Sequence, residues 1–102
     1  MAKTETFIIS RQEIRRVLIA YNIPDKNMEQ LLSAVEKAHR HINAIALSGL
    51  LEKAGLNRDQ IINMFRRIGM DDVTIRDILD SADEQRVLSE SGRLFNVSID
   101  FG

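Results

Sequence analysis

The sequence predicts a mainly α fold, with four to five helices in a bundle and a short β-strand at each terminus. Three observations carry this reading. Apolar residues recur at spacings of three and four from Ile14 to Ala82, the period of an amphipathic helix. Gly55 and Gly69 punctuate that pattern where helices would stop. The two ends of the chain, TETFII and LFNVSIDF, are instead rich in β-branched and aromatic residues, and the second alternates apolar with polar.

Taken in order, residues 4–9 read as a strand with Phe7 and Ile9 on one face. Ser10 fits a helix N-cap, and Glu13 three residues later completes the capping-box pattern. Ile14, Val17, Leu18 and Tyr21 follow at helical spacing, and Pro24 closes this helix near Asn22.

The next segment has the strongest pattern in the chain. Asp25 is placed to cap it, and Met28, Leu31, Val35, Ala38, Ile42, Ile45 and Gly49 form a heptad-like seam that Leu32, Ala46 and Leu50 widen. The spacing allows one helix over 26–54 or two helices divided at 41–43. Residues 42–51 are apolar nearly all round, so this segment must be covered on more than one side. A homodimer built on Met28, Leu31, Val35, Ile42 and Ile45 is one way to cover it. Gly49 costs about 1 kcal/mol against alanine in a helix interior, which suggests a close approach or a bend there.

Beyond Gly55, Asn57 caps a helix with Gln60 three residues on, and Ile61, Met64, Phe65 and Ile68 form its apolar stripe. After Gly69, Asp71 or Asp72 starts another helix, with Ile75, Ile78, Leu79 and Ala82 inward. It ends near 81–84 or runs on to 91–92. Phe95, Val97, Ile99 and Phe101 then share one face of a half-buried strand, for which residues 4–9 are the natural partner, within one chain or between two.

Composition narrows the function classes. The chain has 102 residues, one domain's worth, with 44% hydrophobic and 28% charged residues, which is globular composition. It has no cysteine, which removes thiol catalysis and thiolate metal sites and fits a reducing compartment. The N-terminus lacks a signal-peptide core, and no apolar run nears the ~20 residues of a bilayer span. These features predict a cytoplasmic protein without a membrane association. The formal net charge of -1 offers no general attraction to nucleic acid.

Catalytic and cofactor signatures are missing: no phosphate loop, dinucleotide fingerprint, nucleophile elbow or zinc-protease motif is present. The reading is a non-enzyme without cofactor. His39 and His41 lie two apart and would point to different helix faces, so they are not a metal pair. Glu36–Arg40 and Arg76–Asp80 have the spacing of surface ion pairs on a helix. Asp71, Asp72, Asp77, Asp80, Asp83 and Glu84 lack the order of a calcium loop and read as capping and solubility, or as a surface for a basic partner.

One stretch carries a functional motif. Residues 45–68, with Gly55 at the turn and Leu56 after it, resemble the helix-turn-helix corner of bacterial and archaeal regulators. The resemblance implies a second helix lying in the major groove, with Ile61 and Met64 buried and Asn57, Arg58, Asp59, Ile62, Asn63 and Arg66 facing outward. Arg58, Arg66 and Arg67 would reach phosphates, Asn63 a base edge, and Asn57, at the helix start, would also meet the DNA. Two residues depart from the motif. Leu51 stands where a small residue is usual, and Asp59 stands where a phosphate would be near. A winged version would fold residues 86–99 into a hairpin, and a ribbon-helix-helix version would turn Thr4, Thr6 and Ile8 outward.

The leading expectation is therefore a small homodimeric transcriptional regulator that binds double-stranded DNA. The alternative is a helical module that binds a protein partner, as adaptor or inhibitor, with no nucleic-acid role.

Overall fold

The structure is a computed structural model, and it describes residues 3–84 and 95–102. The element order is β1 (Lys3–Ile8), α1 (Arg11–Ala20), α2 (Asp25–Lys37), β2 (His41–Asn43), α3 (Ala44–Ala54), α4 (Arg58–Ile68), α5 (Asp72–Glu84) and β3 (Phe95–Asp100). The predicted mainly α fold with a strand near each end is therefore present.

The terminal strands pair within one chain. β3 lies at the centre of a three-stranded sheet of order β1-β3-β2, parallel to β1 and antiparallel to β2. Register places Phe7 beside Ile99 and Ile42 on its other side. This row faces the helices: Ile99 is fully buried, and Phe7 and Ile42 pack against the core. Val97 and Phe101 share that face and are buried, as the alternation requires. The opposite face of the sheet carries Thr6, Ser98 and Asn43 in one row and Ile8, Asp100 and His41 in the next. Ile8 is 71% exposed there. A ribbon-helix-helix arrangement would need β1 paired to a second chain, whereas its partner is β3 of its own. The winged hairpin falls mostly on residues 85–94, outside the described residues.

The seam segment is divided. α2 stops at Lys37 and α3 starts at Ala44, with β2 between them. The helix stop uses backbone geometry that the side chains do not advertise. His39 N–H donates to Glu36 O at 3.0 Å and Arg40 N–H to Val35 O at 2.9 Å, the paired bonds of a Schellman ending. His39 and Arg40 are left-handed, with φ of 57° and 62°. The Glu36–Arg40 pair expected on a continuous helix does not form, and Glu36 pairs instead with Arg11 of α1.

The same ending recurs. Asn22 closes α1 with φ 60°, Gly55 closes α3 with φ 117° and Gly69 closes α4 with φ 116°. In each case the next residue donates to the carbonyl five back: Ile23 to Leu18, Leu56 to Leu51 and Met70 to Phe65. Those three following residues are apolar and buried, so each turn is pinned to the core by the residue after it. Helix starts follow the sequence more directly, except at α2, where Asp25 is the first helical residue behind Pro24 and no side chain caps the helix. Ser10 accepts from Glu13 N–H at 3.1 Å, Asn43 from Ile45 N–H at 2.8 Å and Asp71 from Thr74 N–H at 2.8 Å.

The core gathers α1, α2, α3, α4, α5 and the inner face of the sheet into one cluster. Met28, Leu31, Val35 and Ile45, the residues expected at a dimer interface, are buried in it, and Ile42 packs against it. The wrap of apolar residues around α3 thus finds its cover within one chain. α2 lies on one side of α3, and α5 and β3 lie on others. Four of these five residues are core residues and the fifth, Ile42, is half-buried against them, so they need no second copy to cover them.

Candidate nucleic-acid interface

α3 and α4 meet at the Gly55 turn to form the corner that the sequence suggested. α3 delivers Leu47, Leu51 and Ala54 to the core, and α4 delivers Ile61, Met64 and Phe65. Between them Leu56 is buried and Gly55 takes a conformation that L side chains rarely adopt. α2 holds the corner from behind: Asn27 Nδ2 donates to Ala54 O at 3.0 Å, satisfying a carbonyl at the end of α3. Leu51, the departure from the motif, is completely buried, so the two helices pack around a large side chain instead of a small one.

The outward ridge of α4 is Asp59, Asn63 and Arg66, spaced i, i+4 and i+7 on one side of the helix, and all three are exposed. Arg58 and Arg67 flank the ridge and are also exposed, while Ile62 is half-buried. Asn57 is engaged at the helix start. Its Oδ1 accepts from Gln60 N–H at 2.8 Å, and its own N–H donates to Gln60 Oε1 at 3.0 Å, a complete capping box. Of the five residues expected to meet DNA, Asn63 and Arg66 share the exposed ridge, Arg58 and Arg67 lie exposed on its opposite borders, and Asn57 fixes where the helix begins.

Each of the three arginines has a carboxylate beside it. Arg66 Nε lies 2.8 Å from Asp72 Oδ1 in a direct hydrogen bond. That bond, and the attraction of the two charges, raise the Arg66 pKa above its ordinary value. Arg58 faces Asp80 at 3.8 Å and Asp83 at 3.7 Å. Arg67 Nε lies 3.4 Å from Glu13 Oε1 on α1. α4 is therefore bordered by α5 on one side and α1 on the other, and both borders present acids to it.

The sequence pattern does not mark these acidic partners. Asp72 is the nearest in sequence, with only the Gly69 turn between it and Arg66. Helical spacing pairs Asp80 with Arg76, but the antiparallel run of α5 along α4 brings it to Arg58. Glu13 is distant in sequence and reaches Arg67 only through the packing of α1. Among the described residues no group of three or more His, Asp or Glu side chains is arranged to hold a metal ion. His39 and His41 lie exposed in the turn and on β2. No helix of the described chain is long and apolar enough to cross a membrane.

Comparison with known family models, curated proteins and solved structures finds no match for this chain.

Proposed function

We propose that the chain is a small DNA-binding regulator that presents α4 to the major groove of double-stranded DNA. The observation that carries this reading is the exposed ridge of Asp59, Asn63 and Arg66, flanked by Arg58 and Arg67, on the second helix of a tight glycine corner. In that role Arg58, Arg66 and Arg67 contact phosphates and Asn63 reads a base edge. The ion pairs on the arginines can be exchanged for contacts to phosphate. All lie between side chains at least 46% exposed, and exposed pairs are worth only about 0–1 kcal/mol, so phosphates can replace the carboxylates. A homodimer would give two corners to a two-fold DNA site. It would have to be built on surface other than Met28, Leu31, Val35, Ile42 and Ile45, because these are taken up by the core.

The test is a fluorescence-anisotropy titration of a random-sequence duplex at low salt. Binding should weaken steeply as salt rises, because each neutralised phosphate releases counterions. Arg66→Ala should weaken binding to all sequences alike, and Asn63→Ala should mainly relax preference on a selected site. Absence of any binding at low salt would sink the reading.

A second reading, a protein-interaction module in the cytoplasm, is favoured by a different observation. A groove of about 620 Å³ runs between α3, α4 and α5, floored by Ile45, Leu56, Ile61 and Leu79. Gly49 opens onto it, and no atom of the described residues lies within 4 Å of the place its missing side chain would take.

A further inference from the structure

We infer that α5, with help from Glu13, is an electrostatic mask over α4 that holds the chain in a weakly DNA-binding state. The inference rests on the DNA reading proposed above and concerns how that site is regulated.

Three features of α5 point to it. Asp72, Arg76, Asp80 and Asp83 recur at spacings of four, four and three, so three acids lie along one edge of the helix. That edge is turned toward α4. Asp72 meets Arg66 near the end of α4, and Asp80 and Asp83 meet Arg58 at its beginning. The anchoring of α5 lies elsewhere: Ile75, Ile78 and Leu79 are buried in the core, and α3 is the helix against which α5 chiefly packs.

The division matters because the acids are not needed to hold the helix in place. Exposed ion pairs add little to stability, and buried apolar side chains already dock α5. What the acids do change is the field in front of α4. Three guanidinium charges, on Arg58, Arg66 and Arg67, face four carboxylates, on Asp72, Asp80, Asp83 and Glu13, and α4 itself carries a fifth acid, the exposed Asp59. The carboxylates occupy positions beside the arginines that phosphate oxygens would take in a complex. An approaching duplex must displace them and meets their repulsion first. Whatever neutralises or covers this edge of α5 exposes a set of arginines already arranged along one helix.

The experiment compares the full chain with the variant Asp72→Asn, Asp80→Asn, Asp83→Asn, using a random-sequence DNA duplex as probe in anisotropy titrations at low and raised salt. Asparagine keeps the shape of each side chain, and circular dichroism and thermal melting verify that both proteins fold alike. If the triple change lowers the melting temperature, the pair Asp80→Asn, Asp83→Asn leaves the first turn of α5 untouched and is read instead. The expected result is a gain in affinity of roughly tenfold or more at low salt, with a steeper salt dependence. Adding Arg58→Ala, Arg66→Ala and Arg67→Ala to the neutralised chain should erase the gain. A second chain with Asp25→Asn, Glu29→Gln and Asp77→Asn raises the net charge equally without touching an acid paired to α4, and should gain much less. Equal affinity of the wild type and the Asp-to-Asn variant overturns the mask while leaving DNA binding in place. An equal gain in the remote-acid control also overturns it, because net charge alone would then explain the effect. Lack of binding by every variant removes the DNA reading itself.

Discussion

The two ends of α3 make the same kind of junction from different residues. At its C-terminus the chain leaves through Gly55 at φ 117°, and at its N-terminus it arrives from a turn in which His39 and Arg40 are both left-handed. Both junctions close a helix with paired backbone bonds, and both set the direction of α3. The Gly55 corner suits its residues: glycine takes the positive φ without penalty, and Leu56 after it is buried. The 38–43 turn runs against its residues. Left-handed geometry costs an L residue roughly 1–2 kcal/mol, and the residue after His39 is an exposed arginine instead of an apolar anchor. Support comes from elsewhere in the fold. Phe101 N–H donates to Arg40 O at 2.7 Å, and β2 pairs with β3 just beyond the turn. A local junction can thus be written into a few residues, or it can be imposed by a strand more than fifty positions away in sequence.

Three changes would break or sharpen this comparison. The largest effect is expected at the imposed junction. Phe101→Ala removes a completely buried side chain beside the strand that holds the turn, and should cost about 3–5 kcal/mol in a urea titration. A cost under 1 kcal/mol would mean that the Phe101 side chain does not anchor this end of the sheet to the core. Next comes Gly55→Val. An added Cβ would meet Ile23 Cδ1 only at ordinary contact, 3.7 Å, so the penalty is conformational, and for a β-branched residue it should reach about 2–3 kcal/mol. A neutral outcome by the same titration would show that the corner does not depend on glycine. The smallest effect has the opposite sign. His39→Gly relieves the left-handed strain but loosens the unfolded chain, and should stabilise by about 0.5–1 kcal/mol. Destabilisation in a thermal melt would show that the His39 side chain makes up for its backbone.

The candidate interface divides along the same line. The inward residues Ile61, Met64 and Phe65 and the outward Asn63, Arg66 and Arg67 were legible, because helical period assigns both faces of α4 from local spacing. The capping box of Asn57 and Gln60 was legible for the same reason. The charge state of the interface was not. Arg58 meets Asp80 and Asp83, and Arg67 meets Glu13, only because α5 and α1 are laid against α4 by the core.

The seam residues are covered as a set, but by their own chain. Met28, Leu31, Val35 and Ile45 do point inward together, yet an apolar stripe says only that something must cover it. The sequence by itself determined the helical faces, most helix starts, the glycine endings and the alternation of β3, since each depends on residues within a turn or two of one another. Only the tertiary structure decided where the seam breaks, that the terminal strands pair within one chain with β2 beside them, and which acids stand over the arginines. Those outcomes depend on contacts between residues far apart in the chain, where packing of the whole core outweighs the weaker preferences of any local segment.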